Sequence, residues 1–423
     1  MGFGTVMSER TEIEGEKPLA PASPVLAELE ETLEKLLNSR ETFAVEAVNL
    51  LIDSAEKLGA SDLHLVPESQ DGVLVSRFRI NGVLQPGPKV PLAVNVISRL
   101  KVISGLLTYR TDVPQEGRVK AKNAQLQSDF SEIRVSTFPT LHGEKAVVRF
   151  FIGSDEFRYV RDLGFPEDVT NGIQQALGET SGLFLICGPA GSGKTTTAYA
   201  LLRELQDSTF GIRNICTLED PVEAEISGIS QSQVKADSGL TYQLGLRSLM
   251  RQDPDVIFVG EIRDRETAEI VFQAALTGHL VLSTFHATSV SEAISRLTDM
   301  DVEPYVLRSA LMGVLAQRLL RRVCDCRQNG QDVCPQCNGL GFSGRFAIAE
   351  FLRPQTASIS REILERSDSR EIHSAADKSG MISLVQRARS AVEQGETTLS
   401  ECARVLGPRV FLIDNVSPIS PDP

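Results

Sequence analysis

The stretch SGLFLICGPAGSGKTTTAYALLREL, residues 181–205, decides the fold of the central part of this 423-residue chain. It reads as a short apolar strand, a glycine-rich loop and a helix, the context that a phosphate-binding loop requires. The pattern G-x-x-x-x-G-K-[ST] is filled by Gly188, Gly193, Lys194 and Thr195. The stretch therefore predicts a P-loop fold that binds a nucleotide.

The chemistry of such a loop follows from its residue types. Glycines let the backbone curl so that several N–H groups face one phosphate, and the helix that follows adds the partial positive charge of its N-terminus. We expect Lys194 to reach the β- and γ-phosphates and the Thr195 hydroxyl to hold Mg²⁺. ATP is favoured over GTP because no guanine-reading pattern is present, and a glycine-rich turn without a ligand is the alternative. The predicted nucleotide-binding residues are Gly188, Pro189, Ala190, Gly191, Ser192, Gly193, Lys194, Thr195 and Thr196.

Further apolar stretches follow the loop and alternate with helix-like stretches. IRNICTLED, PDVIFVGEIRD and GHLVLSTFHA read as strands, and RETAEIVFQAAL reads as a helix. Alternating strands and helices predict a parallel sheet, here a P-loop ATPase core. Beyond Glu292 the chain is expected to be mainly helical.

Acidic residues follow two of these strands. VIFVGEI places Glu261 just past a strand, and CTLEDPVE places Glu219, Asp220 and Glu223 at the end of another. In parallel α/β sheets the carboxyl ends of the strands open on the same crevice as the phosphate loop. Hydrolysis needs a carboxylate on the metal side and a residue that orients water. We expect these acids to serve it, with solvated turn residues as the alternative.

The stretch TGHLVLSTFHA carries His279 and His286, two of only five histidines in the chain. A histidine near strand ends can sense the γ-phosphate or orient water. The residues alone leave open that either one has a purely structural role.

Composition limits the classes of function. The chain is 41% hydrophobic and 23% charged, and its net charge of −13 argues against binding nucleic acid. No apolar run approaches the roughly 18–20 residues of a membrane span, and the N-terminus shows no signal-peptide pattern. A cytoplasmic protein is expected.

Four of the seven cysteines crowd into one segment, which in a cytoplasmic chain indicates a metal site. Cys324, Cys326, Cys334 and Cys337 can close a tetrahedral, structural Zn²⁺ site. The competing interpretation is a reduced or redox-labile cluster without metal. The remaining three cysteines are expected to be buried small hydrophobes.

Upstream of the core the pattern changes twice. Residues 1–24 have no period and are predicted to be disordered, whereas residues 25–37 place leucines on one helical face, for packing or for docking. Residues 42–150 predict an α+β domain with two hairpins, one turning at Asn81-Gly82.

Several motifs together resemble the secretion ATPase family, the hexameric motors of type II secretion and type IV pilus assembly. They are GPAGSGKTTT, EDPVE, LRSLMRQDPDVIFVGEIRDRETA and TGHLVLSTFHATS, and upstream GASDLHLVP, RFRINGVL and VPQEGRV. GFSGRFAIAEFL, SGMISL and GETTLSECARVL match the C-terminal module, so the resemblance covers residues 45–410. The first cysteine pair departs from the family, because C-x-C stands where C-x-x-C is usual. The family's longer N-terminal docking domain has no counterpart in this sequence.

The resemblance implies a role for each matching residue. Glu219 and Glu261 match catalytic carboxylates, and His279 and His286 lie in the family's histidine box. Arg118 and Arg134 match arginines that approach the γ-phosphate when the N-terminal domain closes. The implied protein is an ATP-hydrolysing homo-hexamer, peripheral to the inner membrane, that acts on a membrane platform protein.

The implied fold is α/β. It has a RecA-like P-loop core, an α+β (PAS-like) N-terminal domain and a mainly helical C-terminal module with a small tetracysteine metal site. The expected divisions are an N-terminal segment at 1–40, the α+β domain at 41–152, a linker at 153–165, the ATPase core at 166–298 and the C-terminal module at 299–423, with the cysteine insert at 324–337. Two alternatives stay open: a pilus retraction ATPase, and a nucleotide-dependent regulatory or binding protein with little turnover. The net charge of −13 and the absence of interleaved basic and aromatic residues argue against a nucleic-acid translocase.

Overall fold

Two separate sheets organise the chain, each in its own compact unit. The first unit extends to Phe150 and includes Cys324–Ser343, and the second contains Phe151–Val323 and the residues from Gly344 onward. The structure is a computed structural model that describes residues 23–37, 41–119, 130–152, 157–329, 334 and 336–408. The disorder predicted for residues 1–24 therefore falls almost entirely outside the described residues.

The described helices alternate with strands through most of the chain. In chain order the helices are α1 (Pro24–Leu36), α2 (Phe43–Lys57), α3 (Ala93–Ser104), α4 (Glu167–Leu177), α5 (Lys194–Ser208), α6 (Tyr242–Leu249), α7 (Arg265–Leu276), α8 (Val290–Asp299), α9 (Pro304–Ala310), α10 (Cys326–Asn329), α11 (Ala357–Leu364), α12 (Ser369–Lys378), α13 (Leu384–Glu393) and α14 (Leu399–Leu406). No helix in the described ranges combines the length and apolar character that crossing a bilayer demands.

The first unit has a six-stranded sheet in the order β3-β2-β1-β6-β5-β4. Its strands are β1 (Ala60–Pro67), β2 (Leu74–Ile80), β3 (Val83–Val90), β4 (Gln115–Arg118), β5 (Phe130–Thr140) and β6 (Gly143–Ile152). β2 and β3 form the predicted hairpin, whose turn residues Asn81 and Gly82 have φ of 49° and 82°. Both are positive, as a two-residue hairpin turn requires.

Helix α1 belongs to the hydrophobic core of this unit. Leu29 and Leu33 are buried in the same cluster as residues of α2, α3 and the sheet. The leucine period of the sequence therefore reports packing within the unit, the simpler of its two interpretations.

The second unit has a seven-stranded sheet in the order β13-β12-β7-β11-β10-β8-β9. Its strands are β7 (Gly182–Cys187), β8 (Ile215–Glu219), β9 (Ser230–Gln233), β10 (Val256–Val259), β11 (Leu280–Phe285), β12 (Leu311–Val323) and β13 (Phe342–Leu352). The strands from β12 to β9 in this order run parallel to their neighbours. Every residue of β7, β10 and β11 is buried, which explains their continuous apolar sequence.

The expectation of a mainly helical C-terminal part is wrong at two long strands. β12 covers 13 residues, LMGVLAQRLLRRV, and pairs with β7 in parallel, while β13 covers 11 residues at the edge of the same sheet. The leucine- and arginine-rich composition of β12 favours a helix locally. Pairing with a fully buried neighbour overrides that local preference.

Part of the predicted linker at 153–165 packs against the hydrophobic core of the second unit. Residues 153–156 lie outside the described residues, but Val160–Leu163 form a 3₁₀ turn in which Val160 is buried in the core of the second unit.

Candidate functional site

The glycine-rich loop lies between β7 and α5, in the predicted strand–loop–helix order. Gly193 caps the helix with φ of 88°, a conformation that glycine adopts without strain. The Lys194 ammonium donates to the carbonyl oxygens of Gly188 at 2.7 Å and Pro189 at 3.1 Å. Thr195 and Thr196 lie exposed in the first turn of α5. Backbone N–H groups at such a helix start have no partner within the helix and can bind an anion.

Burial lowers the pKa of Lys194, and the nearby Glu261 carboxylate partly opposes that shift. This electrostatic coupling relates the loop to the acidic residues of the sheet. The loop follows β7 and Glu261 follows β10, so both lie at the carboxyl edge of parallel strands. Ligands of open α/β sheets bind at this edge.

Glu219 ends β8 and is buried, with 3% of its surface exposed. Three side chains donate to its carboxylate: the Tyr199 hydroxyl at 2.5 Å, the Thr217 hydroxyl at 2.6 Å and the Gln231 amide at 3.3 Å. A buried carboxylate is tolerated when such donors replace water. Burial and the bond to Glu219 raise the pKa of Tyr199 above its ordinary range.

Glu261 lies two residues beyond β10 and is held from two sides. Nε2 of His286 lies 2.8 Å from Oε1 of Glu261, and Nε of Arg263 lies 3.0 Å from its Oε2. Arg263 also lies 3.3 Å from Oδ2 of Asp220, which follows β8. The structure therefore brings together the acidic ends of both predicted strands and one predicted histidine.

His279 does not belong to this group. It precedes β11, whereas His286 follows it, and six extended residues separate the two ends by roughly 20 Å. Nδ1 of His279 donates to the Ala274 carbonyl oxygen at 3.0 Å, a contact that holds the turn between α7 and β11. The two histidines share a motif, but the strand between them carries them to opposite edges of the sheet. Within one chain, His279 thus lies at the opposite edge of the sheet from Glu261 and His286.

Two neighbouring residues of β12, which were not predicted as site residues, each contact one loop at the carboxyl edge of the sheet. Gln317 contacts the phosphate loop, and Arg318 contacts the loop that follows β11. The Gln317 amide donates to the Ser192 carbonyl oxygen at 2.7 Å and accepts from the Thr197 hydroxyl at 2.9 Å. Arg318 donates to the Thr288 carbonyl oxygen at 2.7 Å. A sequence signal existed, since adjacent polar residues interrupt an otherwise apolar run.

Arg118 and Arg134 lie opposite each other on β4 and β5 of the first unit. Both pair with Glu132, whose Oε1 lies 3.1 Å from Nε of Arg118 and 2.7 Å from Nε of Arg134. The hydrogen bond from Arg134 is the main reason why the pKa of Glu132 lies below its usual value. The two arginines are predicted from the sequence, whereas Glu132, the carboxylate that pairs with both, is not.

The four clustered cysteines converge in the first unit. All are buried, and their sulfur atoms lie within 4.8 Å of one another. The sulfurs of Cys324 and Cys334 are 3.8 Å apart and those of Cys326 and Cys337 are 3.4 Å apart. Four thiolates bound to a tetrahedral Zn²⁺ at about 2.3 Å lie roughly 3.8 Å from each other. The donor set and the spacing fit this ion despite the short C-x-C pair.

The sequence and fold also match known proteins. A profile described as "Type II/IV secretion system protein" matches residues 38–404. The chain belongs to this family.

Curated members of this secretion-system family cover most of the chain. Type II secretion system protein HxcR of Pseudomonas aeruginosa is 40% identical over 369 residues, which are 85% of this chain and 77% of that protein. Type II secretion system protein E of the same organism is 38% identical over 416 residues, 92% of this chain and 80% of that protein. The type IV pilus assembly ATPase PilB of Thermus thermophilus is 39% identical over 399 residues, 88% of this chain but 44% of that longer relative.

Two solved structures share the mixed α/β ATPase fold. The pilus retraction motor PilT, solved with bound ADP, aligns with a TM-score of 0.58 and 26% identity, covering 84% of this chain and 96% of PilT. The ATPase DotB of Legionella pneumophila aligns with a TM-score of 0.63 at 21% identity, covering 84% and 94%, which supports the fold alone. The family and the enzyme class predicted from the sequence, an ATPase, are confirmed.

Proposed function

We propose that this chain is an ATP-driven motor that powers assembly of a type II secretion pseudopilus or a type IV pilus. The observation that carries the proposal is the meeting of the Lys194 loop, Glu219 and the Glu261–His286 pair at the carboxyl edge of one parallel sheet. This edge presents an anion-binding loop beside carboxylates that can serve a metal ion and a water molecule.

The loop residues Gly188–Thr196 would cradle the phosphates of ATP, and the exposed Thr195 hydroxyl would hold Mg²⁺. Bound Mg²⁺ would neutralise phosphate charge that develops during transfer. Glu219 and Glu261 would serve as the catalytic carboxylates, and His286 would orient Glu261. His279 is left out of this set because of its position at the opposite edge of the sheet.

Arg118 and Arg134 would approach the γ-phosphate when the N-terminal part closes on the nucleotide, as the family resemblance implies. A guanidinium at that position stabilises charge in the transition state. Their shared contact with Glu132 supports the proposal, because one carboxylate holds both cations in adjacent positions while leaving Arg118 more than half exposed.

The finer description of the fold is proposed on the same resemblance. The second unit would have a RecA-like core, supported by its parallel sheet with the loop at a strand end, and the first a PAS-like domain. The domain limits at 41–152, 166–298 and 299–423 are part of this proposal, with the additions that Val160–Leu163 of the linker at 153–165 pack on the core and that β12 and β13 extend its sheet beyond residue 298. Zn²⁺ at the four cysteines would be structural, since four thiolates leave no open position for substrate.

The working form would be a homo-hexamer at the cytoplasmic face of the inner membrane, acting on a membrane platform protein and not on nucleic acid. The names of HxcR, protein E and PilB support secretion or assembly. PilT supports retraction as the second candidate, with 26% identity against 38–40% for the other three. A regulatory protein with little turnover is disfavoured by the intact Lys194, Glu219 and Glu261.

The test replaces Lys194 with alanine in the organism that encodes this chain and monitors pilin-like fibres or secreted protein at the cell surface. We expect fibres or secretion to be lost at unchanged protein level, and native mass measurement with Mg-ATP to show six chains. Unimpaired assembly with the variant would contradict the motor proposal. Fibres that form but no longer shorten would identify retraction.

A further inference from the structure

Gln317 and Arg318 are unusual residues for their position. They are 1% and 5% exposed in β12, where the residues before them are nearly all apolar. Polar groups in such a place cost free energy unless they are hydrogen-bonded, and a charged guanidinium costs more. Each side chain donates one hydrogen bond to a backbone carbonyl oxygen in a loop at the carboxyl edge of the sheet.

Gln317 makes one hydrogen bond to the phosphate loop and one to helix α5. Its amide nitrogen donates to the Ser192 carbonyl oxygen at 2.7 Å, and its amide oxygen accepts from the Thr197 hydroxyl at 2.9 Å. The Gln317 amide packs closely on the loop at Gly193. A Cβ atom added there would lie only 3.1 Å from the amide nitrogen, so a larger residue would crowd it. One side chain therefore links the loop to the first turn of α5.

Arg318 fixes the other loop, which runs from His286 to the start of α8. Its guanidinium donates to the Thr288 carbonyl oxygen at 2.7 Å and to the Gln317 carbonyl oxygen at 2.9 Å. Glu350 on β13 accepts from the Val290 N–H at 2.9 Å, so the same loop is held from a second strand.

We infer that the Gln317–Arg318 pair positions the phosphate loop and the His286 loop relative to each other. The two residues are positioning residues, since their hydrogen bonds go to protein groups of the two loops, of α5 and of β12 itself. The inference deepens the proposed function and rests on it. Neighbouring residues of one strand cannot move independently, so the loops that hold Lys194 and His286 share a single rigid support.

Substitutions of the two residues should affect different quantities: the dissociation constant for Mg-ADP in the case of Gln317, and kcat in the case of Arg318. Gln317 holds the loop in the shape whose N–H groups meet phosphate, so Gln317→Met should weaken Mg-ADP binding by about tenfold, the value of roughly one hydrogen bond. Arg318→Lys supplies a single ammonium in place of the planar fork, so it should lower kcat by about tenfold while Mg-ADP binding stays within about twofold.

Arg321→Lys is the matched control on the same strand. Arg321 pairs with the buried Glu401 at 2.8 Å, on a helix away from the phosphate loop in the sequence. The Arg321→Lys substitution should lower the melting temperature without changing the Mg-ADP dissociation constant or kcat. The measurements are calorimetric titration with Mg-ADP, steady-state ATPase kinetics and thermal unfolding, all on the full chain.

The inference is overturned if Gln317→Met and Arg318→Lys change binding and kcat together, in proportion to lost thermal stability. If Gln317→Met does not fold, Thr197→Val removes one of the same bonds from the other side and should weaken Mg-ADP binding by about threefold. Unchanged affinity in that variant would overturn the inference too. A wild-type chain that binds no Mg-ADP would instead contradict the proposed function.

Discussion

Nε2 of His286 lies 2.8 Å from Oε1 of Glu261, although 25 positions separate them in the sequence. The contact arises because β10 and β11 are parallel neighbours and each residue follows the carboxyl end of its strand. Arg263 holds the second carboxylate oxygen at 3.0 Å. The orientation of Glu261 is therefore fixed from both sides.

The first prediction concerns this contact. His286→Asn removes the imidazole that orients Glu261, so kcat should fall by roughly 10²-fold, the size expected when a positioned acid–base partner is lost. Mg-ADP affinity should stay within about twofold, because the phosphate loop is untouched. Steady-state ATPase kinetics and calorimetric titration give the two values.

His279→Asn is the matched control for that variant. The same substitution at the far end of β11 alters the contacts of Nδ1 with the Ala274 carbonyl oxygen and the Thr277 hydroxyl, which lie before the strand. We expect kcat within about threefold of wild type and a small loss of thermal stability. Equal losses of kcat at both histidines would show that the family motif, and not position within one chain, decides the role.

The second prediction concerns Tyr199. Tyr199→Phe removes the hydroxyl that donates to buried Glu219 and that accepts from the Glu223 N–H. Leaving such groups short of a partner should lower the free energy of unfolding by about 1–3 kcal/mol. Chemical denaturation measures the loss. Tyr305→Phe on α9, where the ring is 63% exposed, should change it by less than about 0.5 kcal/mol.

The third prediction concerns Glu132 and pH. Because Arg134 holds its pKa below the ordinary value, Glu132 contributes stability above its unfolded pKa of about 4.3, and that contribution is lost as pH falls through the lower folded pKa. Glu132→Gln should therefore cost up to about 1 kcal/mol at pH 7 and progressively less below about pH 4.3. Urea unfolding across this range checks the sign. Glu116→Gln, at an exposed position on β4, is the matched control and should change the free energy of unfolding at pH 7 by less than about 0.5 kcal/mol.

The fourth prediction concerns the metal site. The purified chain should carry one Zn²⁺ per molecule by elemental analysis, and Cys337→Ser should lose it, since three thiolates bind far more weakly than four. Cys402→Ser replaces another buried thiol, which lies apart from the cluster, and should keep the ion. Full zinc content in Cys337→Ser would contradict the four-thiolate assignment.

The parallel sheet and its phosphate loop could be predicted from the sequence because the signals are local. β7, β10 and β11 are buried on both faces and read as apolar runs, and the loop between β7 and α5 has a fixed spacing of glycines. Glu219 and Glu261 could be placed because each directly follows such a run.

Features that depend on tertiary pairing could not be predicted in the same way. β12 has a helix-favouring composition and forms a strand because it pairs with β7. The hydrogen bond between Gln317 and Ser192 depends on that pairing and could not be predicted from the sequence. His279 and His286 belong to the same sequence motif, so the sequence does not distinguish them. In the structure β11 lies between them and places them at opposite edges of the sheet. The pairing of Glu132 with both arginines could not be predicted either, because it depends on β4 and β5 placing Arg118 opposite Arg134.

The most direct test of the central claim is steady-state ATP hydrolysis by the purified full chain and by Glu261→Gln, with Mg-ADP titration of both. The substitution keeps the size of the side chain and removes the carboxylate that His286 and Arg263 hold. We predict measurable turnover in the wild type, a fall of at least roughly 10²-fold in the variant, and Mg-ADP affinity equal within about threefold. Equal hydrolysis by both proteins, or none by the wild type in its assembled form, would contradict the claim.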